Sequence, residues 1–348
     1  MQFDEKSVEL LDELFKEDYR ADEPGAAILI SINEEIVYQR CFGLGNVDKN
    51  EMITANSNFR LASLTKQFTA YGIHLLEKEN RLSKNDFIDK YLPSGFKDKC
   101  PLISQKITIQ HLLEHTSGLI DYEDYDLSIH DQWLDNDVLN IIEDRTLFEP
   151  GSEYRYSNTG YIILGLIIEQ VSTKTLGEFF HNSIFQPFHM QTSVLYDPKH
   201  ALITHRVLGY KKQMDEYRLC DQSVTSATGG DGGIYTSLND YFQWYRCCQF
   251  NESTSPFPIE STPLFYTNGW FLSDSTGQIR SHTGFSCGFT HQVYRIDKNN
   301  QKILVLYLTN IGECGDRIQK FNRFLIEHFR QLIPNNIQLL WEIKDITR

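Results

Sequence analysis

The stretch Phe59-Arg-Leu-Ala-Ser-Leu-Thr-Lys66 places a hydroxyl, Ser63, and an amine, Lys66, three residues apart. On a helix, positions i and i+3 share a face, so an amine in the first turn lies against a hydroxyl at the N-terminus. An amine that can accept the hydroxyl proton turns that oxygen into a nucleophile. Two more short motifs follow in order, Tyr156-Ser-Asn158 and His282-Thr283-Gly284, with Phe285 directly after. They add a phenol, an amide, an imidazole and a residue small enough for close approach.

Three other patterns compete for attention. His111-Leu-Leu-Glu-His115 has the spacing of two zinc-binding histidines on one helix face. A helix with polar residues at both ends is the favoured reading, and no metal or organic cofactor is expected. Gly284-Phe-Ser-Cys-Gly288 matches the elbow of α/β-hydrolases, which needs a helix after the serine, whereas Phe289 to Ile296 reads as a strand. Ser286 is therefore not the expected nucleophile. Gly229 to Gly233 lacks the Gly-Lys-Ser/Thr ending of a phosphate loop and reads as a turn.

Periodicity supplies the elements that must position these groups. Val8, Leu11 and Phe15 fall at helical spacing within residues 4 to 19. Ala26 to Ile32 and Ile36 to Phe42 read as a hairpin ended by Gly43 and Gly45, and a helix is expected from Ser63 to about Glu79. From about 80 to 220 helical segments and polar loops dominate, with no alternating strand pair. One helix should run from Thr108 to Gly118 and a buried one from about Thr159 to Val171. After the Gly229 loop come a helix from Ser237, strands at about 265 to 273, 288 to 296 and 302 to 309, and a short one at Ile279 to His282. A last helix spans about 315 to 332, and the tail from Ile337 is ambiguous between strand and docked extension.

Strands near both ends with helices between them predict an α/β (α+β) fold. In it an antiparallel sheet flanked by helices is built from residues 1–79 and 221–348, with an all-helical insertion at 80–220 and the catalytic cleft between the two. The 348 residues, 41% hydrophobic and 23% charged, suffice for one large core or two modest ones. The net charge of -14 comes from scattered acids without a basic run, so nucleic acid is not an expected partner. The apolar run Tyr161 to Ile168 is too short to span a bilayer. The acidic N-terminus does not read as a secretory signal, so the expected compartment is the cytoplasm, or the periplasm if a signal has been removed. Seven cysteines without a CxxC read as free thiols.

The ordered set Ser63-x-x-Lys66, Tyr156-Ser-Asn158 and His282-Thr-Gly284 resembles the serine β-lactamase and penicillin-binding-protein superfamily. The closest branch holds class C β-lactamases, D-stereospecific peptidases and related esterases. Ile107 to Leu119, Phe148-Glu-Pro-Gly151, Ile184-Phe-Gln-Pro187, Gly232 to Ser237 and Ile303 to Asn310 extend the likeness over roughly residues 25 to 330. The resemblance implies a β-lactamase/transpeptidase-like fold and hydrolysis of a small ester, amide or peptide through an acyl-enzyme on Ser63. Lys66 and Tyr156 would exchange the proton, either one being the base. Asn158 would hold Lys66 and the substrate amide, and the N–H groups of Ser63 and Phe285 would stabilise the oxyanion. Gly284 would let substrate lie against the strand beside Thr283.

One departure bears on substrate. His282 stands where penicillin-recognising members carry lysine, so a fixed cation becomes a group expected to titrate near neutrality. That favours esters and uncharged amides over β-lactams and C-terminal carboxylates. A true β-lactamase or D-peptidase is the alternative within the enzymes, and a non-catalytic penicillin-binding-like scaffold the alternative outside them.

Overall fold

The computed structural model describes residues 3–199, 202–248, 256–273, 275–298 and 300–329. The apolar run Ala26–Ile32 forms strand β1, and its residues alternate between two apolar layers, as the period-2 geometry of a strand requires. Ala26, Ile28 and Ile30 join Ile303, Val305 and Tyr307 against one layer of helices, while Ala27 and Leu29 join Leu304, Leu306 and Leu308 against the other. A strand covered on both faces reads as uninterrupted hydrophobicity.

β1 is followed by β2 (Glu35–Phe42), β3 (Phe257–Pro258), β4 (Phe265–Thr267), β5 (Trp270–Leu272), β6 (Ile279–Ser286), β7 (Phe289–Lys298) and β8 (Gln301–Thr309). They form one sheet in the order β3-β4-β5-β6-β7-β8-β1-β2, every neighbouring pair antiparallel. Outer helices α1 (Glu5–Asp18) and α5 (Gly315–Phe329) contribute Leu11, Phe15, Ile318, Phe321 and Leu325 to the first layer. The second layer contains α2 (Lys66–Lys78), α3 (Asn158–Ser172) and α4 (Leu238–Cys247). Trp244 of α4 stacks on Phe68 of α2 with centroids 4.1 Å apart, so the aromatics around Trp244 are core.

Several boundaries differ from expectation for local reasons. The strand expected at 265 to 273 is split into β4 and β5 by Asn268 and Gly269, both with positive φ, the signature of a tight hairpin turn. A Cβ on Gly269 would lie 2.6 Å from the backbone nitrogen of Gln67, so this turn presses on the start of α2. The short strand expected at Ile279 to His282 is the eight-residue β6, paired with β7 from Ile279↔Ile296 to Ser286↔Phe289. The helix expected from Thr108 to Gly118 is only Ile109–Leu113. Thr108 caps it, and His115 in the left-handed region ends the turn before Gly118 is reached.

Residues 80–220 also carry strands that were not expected. Val194–Leu195 joins Phe59–Arg60 and Ile234–Thr236, and the hairpin Tyr210–Gln213/Glu216–Leu219 pairs in parallel with Ile311–Gly312. Strands of two to four residues are too short to leave an alternating apolar signal. No disulfide joins the cysteines among the described residues, and Cys100, Cys248 and Cys314 are buried. No helix among the described residues is long and apolar enough to cross a membrane. The end of the helix expected to about residue 332 and the tail from Ile337 lie outside the described residues.

Candidate active site

Chain direction changes abruptly at Ser63. Phe59–Arg60 is a strand, Ala62 takes φ 50°, and a 3₁₀ turn over Ala62–Thr65 leads into α2, whose first residue is Lys66. Ser63 therefore sits in the 3₁₀ turn, where i and i+3 side chains eclipse. Lys66, fully buried, donates from Nζ to Ser63 Oγ (3.0 Å), Asn158 Oδ1 (2.8 Å) and the Asp231 carbonyl oxygen (2.9 Å).

The chemistry of these partners differs. An amide oxygen and a backbone carbonyl only accept, whereas a serine hydroxyl can also donate. A neutral Lys66 amine keeps two N–H donors for Asn158 and Asp231 and has one lone pair left, directed at the only partner able to supply a proton, Ser63. Burial pushes the Lys66 pKa down from 10.5 to about 8, against the opposing pull of Asp231, Asp121 and Glu123.

Tyr156 is buried beside this pair. Lys66 Nζ lies 4.9 Å from the centroid of its ring and 5.7 Å from that of Tyr161. The Tyr156 hydroxyl has no hydrogen-bond partner among the described residues. Burial holds its pKa well above that of an ordinary phenol, with the nearby Ser63 hydroxyl pulling only partly the other way. Tyr156 is thus held as a neutral phenol near neutral pH.

The helix bearing Asn158 is fixed from several sides. Ser157 caps α3 by accepting from Gly160 N–H (3.1 Å), and its own N–H donates to His115 Nδ1 (3.1 Å). Asp121 accepts from the N–H groups of Thr159 (3.1 Å) and Glu123 (3.2 Å), so the loop 121–124 is tied to the start of α3.

β6 closes the opposite side. A Cβ on Gly284 would lie 2.3 Å from the Leu61 carbonyl oxygen, so glycine here is required by strand-to-turn contact with the chain itself, beyond any room it leaves for substrate. Thr283 is half-buried, and Phe285 is 59% exposed over the cavity that Ser63 faces.

His282 behaves differently from expectation. It is fully buried, its Nδ1–H meets the Thr283 carbonyl oxygen (2.7 Å), and its Nε2 accepts from the Tyr266 hydroxyl (3.3 Å). Burial first, and then the Lys66 charge, push its pKa down to about 3. The imidazole is therefore neutral and turned into the protein, and it does not titrate near neutrality beside the substrate.

The competing patterns find structural roles. His111 Nδ1 accepts from Thr108 N–H (3.2 Å) and His115 Nδ1 from Ser157 N–H, and no group of three metal-binding side chains occurs among the described residues. Ser286 ends β6, and Cys287-Gly288 turns directly into β7, a hairpin rather than an elbow. The Gly229–Gly233 loop supplies carbonyl oxygens: Asp231 to Lys66, and Gly230 to the Thr69 hydroxyl at 2.6 Å.

Sequence reasoning missed Asp231, Glu123 and Asp121. A single acid among four glycines was a usable signal for the first; the other two lie in a polar loop without one. The cavity, about 290 Å³, is lined by Ser63, Asn158 and Phe285 together with Arg60, Glu123 and Asp231.

The family described as Beta-lactamase matches residues 11–322. Penicillin-binding protein 4* of Bacillus subtilis is 31% identical over 315 residues, covering 82% of this chain and 68% of that protein. The chain thus spans about two thirds of that relative's length. A penicillin-binding protein from Bacillus halodurans superimposes with a TM-score of 0.74 at 24% identity, covering 90% of this chain and 98% of the other. A D-amino acid amidase from Ochrobactrum anthropi gives 0.70 at 17% identity, covering 92% and 98%. Both superpositions speak to the β-lactamase/transpeptidase-like fold.

Proposed function

The chain belongs to the β-lactamase family, and we propose that it is a serine hydrolase that cleaves a small ester or amide through an acyl-enzyme on Ser63. The observation that carries this reading is the buried Lys66 amine, held by two acceptors with its third contact on Ser63 Oγ. Lys66 is the general base of acylation. It needs only to lose a proton with a pKa of about 8, whereas a Tyr156 phenolate lies far outside the working range. Ser63 Oγ bonds to the carbonyl carbon, its proton passes to Lys66, and Tyr156 relays a proton to the leaving group. The N–H groups of Ser63 and Phe285 receive the oxyanion. Water then attacks the acyl carbon and frees Ser63.

Neutral, inward-facing His282 offers no cation to a substrate carboxylate. That supports substrates without one, in preference to β-lactams and peptides with a free C-terminus. The amidase named above acts on amino acid amides, and the likeness in fold is compatible with an amide substrate here.

Intact-mass measurement after incubation with activated esters, D-amino-acid amides and β-lactams tests the reading. The expected result is an acyl adduct on wild-type protein that Ser63→Ala lacks. A protein that takes no adduct from any of the panel is a scaffold. Tyr156→Phe separates the roles further. A proton relay matters when the leaving group is basic, so its kcat/KM is expected to fall ~10²-fold for amides and less than tenfold for p-nitrophenyl esters. Equal losses on both would assign Tyr156 to positioning alone.

A further inference from the structure

One pair of side chains beside the cavity has no part in acyl transfer. Cys220 and Cys287 are free and half-buried, and their thiols are in hydrogen-bonding contact with each other. Cys287 occupies the turn between β6 and β7 with φ 49°, two residues beyond Phe285, and lines the cavity that Ser63 faces. Cys220 follows the strand Glu216–Leu219, and its carbonyl oxygen accepts from Gly288 N–H (2.7 Å). Backbones joined in this way lie about 5 Å apart, a separation within the reach of a disulfide. Other thiols have other neighbours: Cys100 Sγ donates to the Ile142 carbonyl oxygen (3.5 Å), and Cys314 Sγ is 3.8 Å from the Tyr19 hydroxyl.

We propose that Cys220 and Cys287 form a thiol-oxidation site: a small organic disulfide converts the pair to an internal disulfide, which pulls the β6–β7 turn away from Ser63 and slows turnover. The effect on turnover rests on the acyl-enzyme reading of Ser63; formation of the bond does not. Cys287 is the attacking thiol, because it borders the cavity and is reached from there. Burial first, and then the adjacent Cys287, hold the Cys220 pKa above that of an ordinary thiol, which makes Cys220 the poorer attacker on a free reagent. Cys287 Sγ, having lost its proton, bonds to one sulfur of the reagent, whose S–S bond breaks and releases one thiol. Cys220 Sγ then bonds to Cys287 Sγ and displaces the second thiol. The protein thiols lose two electrons, the reagent gains two, and the two protons end on the released thiols.

The consequence for Ser63 depends on which side can move. A disulfide brings the two sulfurs from contact to about 2 Å. The Cys220 side is fixed: its N–H donates to the Gly209 carbonyl oxygen (2.8 Å), and Asp221 accepts from Gly209 N–H (2.9 Å). The turn cannot slide closer as a body, since a Cβ on Gly288 would already lie 2.1 Å from the Tyr210 nitrogen, and one on Gly312 2.3 Å from the Cys287 carbonyl oxygen. The contraction is therefore taken up at Cys287 and the two residues before it. One of those is Phe285, whose N–H receives the oxyanion.

The test treats the reduced protein with bis(2-hydroxyethyl) disulfide and reads intact mass, the peptide map and p-nitrophenyl ester turnover. The expected result is loss of two hydrogens, a bond mapped between the peptides carrying Cys220 and Cys287, and a kcat lower by about tenfold or more that dithiothreitol restores. Cys220→Ser is expected to keep the turnover of the reduced wild type and, with the reagent, to stop at a single hydroxyethylthio adduct on Cys287. A wild type in which the two thiols stay unmodified, carry separate adducts or bond to other cysteines overturns the site. A mapped Cys220–Cys287 bond with kcat unchanged overturns its control of turnover. A reduced protein that neither hydrolyses the ester nor takes an acyl group on Ser63 removes the hydrolase reading, and the peptide map then decides the thiol site by itself.

Discussion

Replacing Lys66 with methionine is expected to lower kcat/KM by ~10³-fold and, at pH 7, to raise the unfolding temperature by a few degrees. The first effect follows from the loss of the only group among the described residues in contact with Ser63 Oγ that can take its proton near neutral pH. Wild-type activity should rise with pH and level off above about pH 8, as the Lys66 amine becomes neutral, and the variant should lack that limb. The second effect comes from burial. A pKa lowered from 10.5 to about 8 means that the folded state holds the ammonium at a cost on the order of 3 kcal/mol.

The sign of the pH dependence follows. Below pH 8 lysine is charged in both folded and unfolded chains, and the full cost is present. Between pH 8 and 10.5 the unfolded chain binds the extra proton, so the wild type gains stability as pH rises and the advantage of methionine shrinks. Ser63 and Asn158 border the cavity, where water can replace the lost donor. Thermal unfolding of both proteins from pH 6.5 to 10 checks this. A variant less stable at every pH would show that the hydrogen bonds of Lys66 outweigh its desolvation.

How much of this was legible in the sequence depends on how far the chain must travel to make each contact. Ser63 and Lys66 are three residues apart, and any helical turn brings them together. Tyr156 and Asn158 are about ninety residues further on, and only their order relative to a family pattern identified them, because nothing in their own surroundings signals a site. The uninterrupted apolar runs of β1 and β8 read directly as strands. The inward turn of His282 was illegible, since a strand position gives the face of a side chain but not whether Tyr266 will be there to bond it. Asp231 and Glu123 escaped notice for a related reason: a loop acid looks solvated until the fold places it beside a buried amine.

Gly284→Ala is the substitution expected to disturb the assembled site most without removing a reacting group. The new Cβ would fall 2.3 Å from the Leu61 carbonyl oxygen and 3.2 Å from His291 Cδ2. The Leu61 oxygen belongs to backbone, and Leu61 N–H is itself held by the Ile234 carbonyl (2.8 Å), so the turn carrying Ser63 cannot simply swing aside. β6 is paired with β7 along its whole length and has equally little freedom. The strain must be shared, separating Phe285 from Ser63 by a fraction of an ångström to an ångström. A misplacement of that size in a preorganised site costs about 10² in rate, and overpacking of this kind costs about 1–3 kcal/mol in stability. The loss should fall on kcat more than on KM, because the oxyanion donors act on the transition state. Gly160→Ala, in α3 two residues after Asn158, is the control: its Cβ would meet nothing closer than 3.7 Å, and alanine favours the helix by about 1 kcal/mol over glycine. If the two variants lose activity equally, close contact between β6 and the nucleophile turn is not what aligns the oxyanion donors. If only Gly284→Ala loses kcat, the strand is the fixed wall against which Ser63 is aimed.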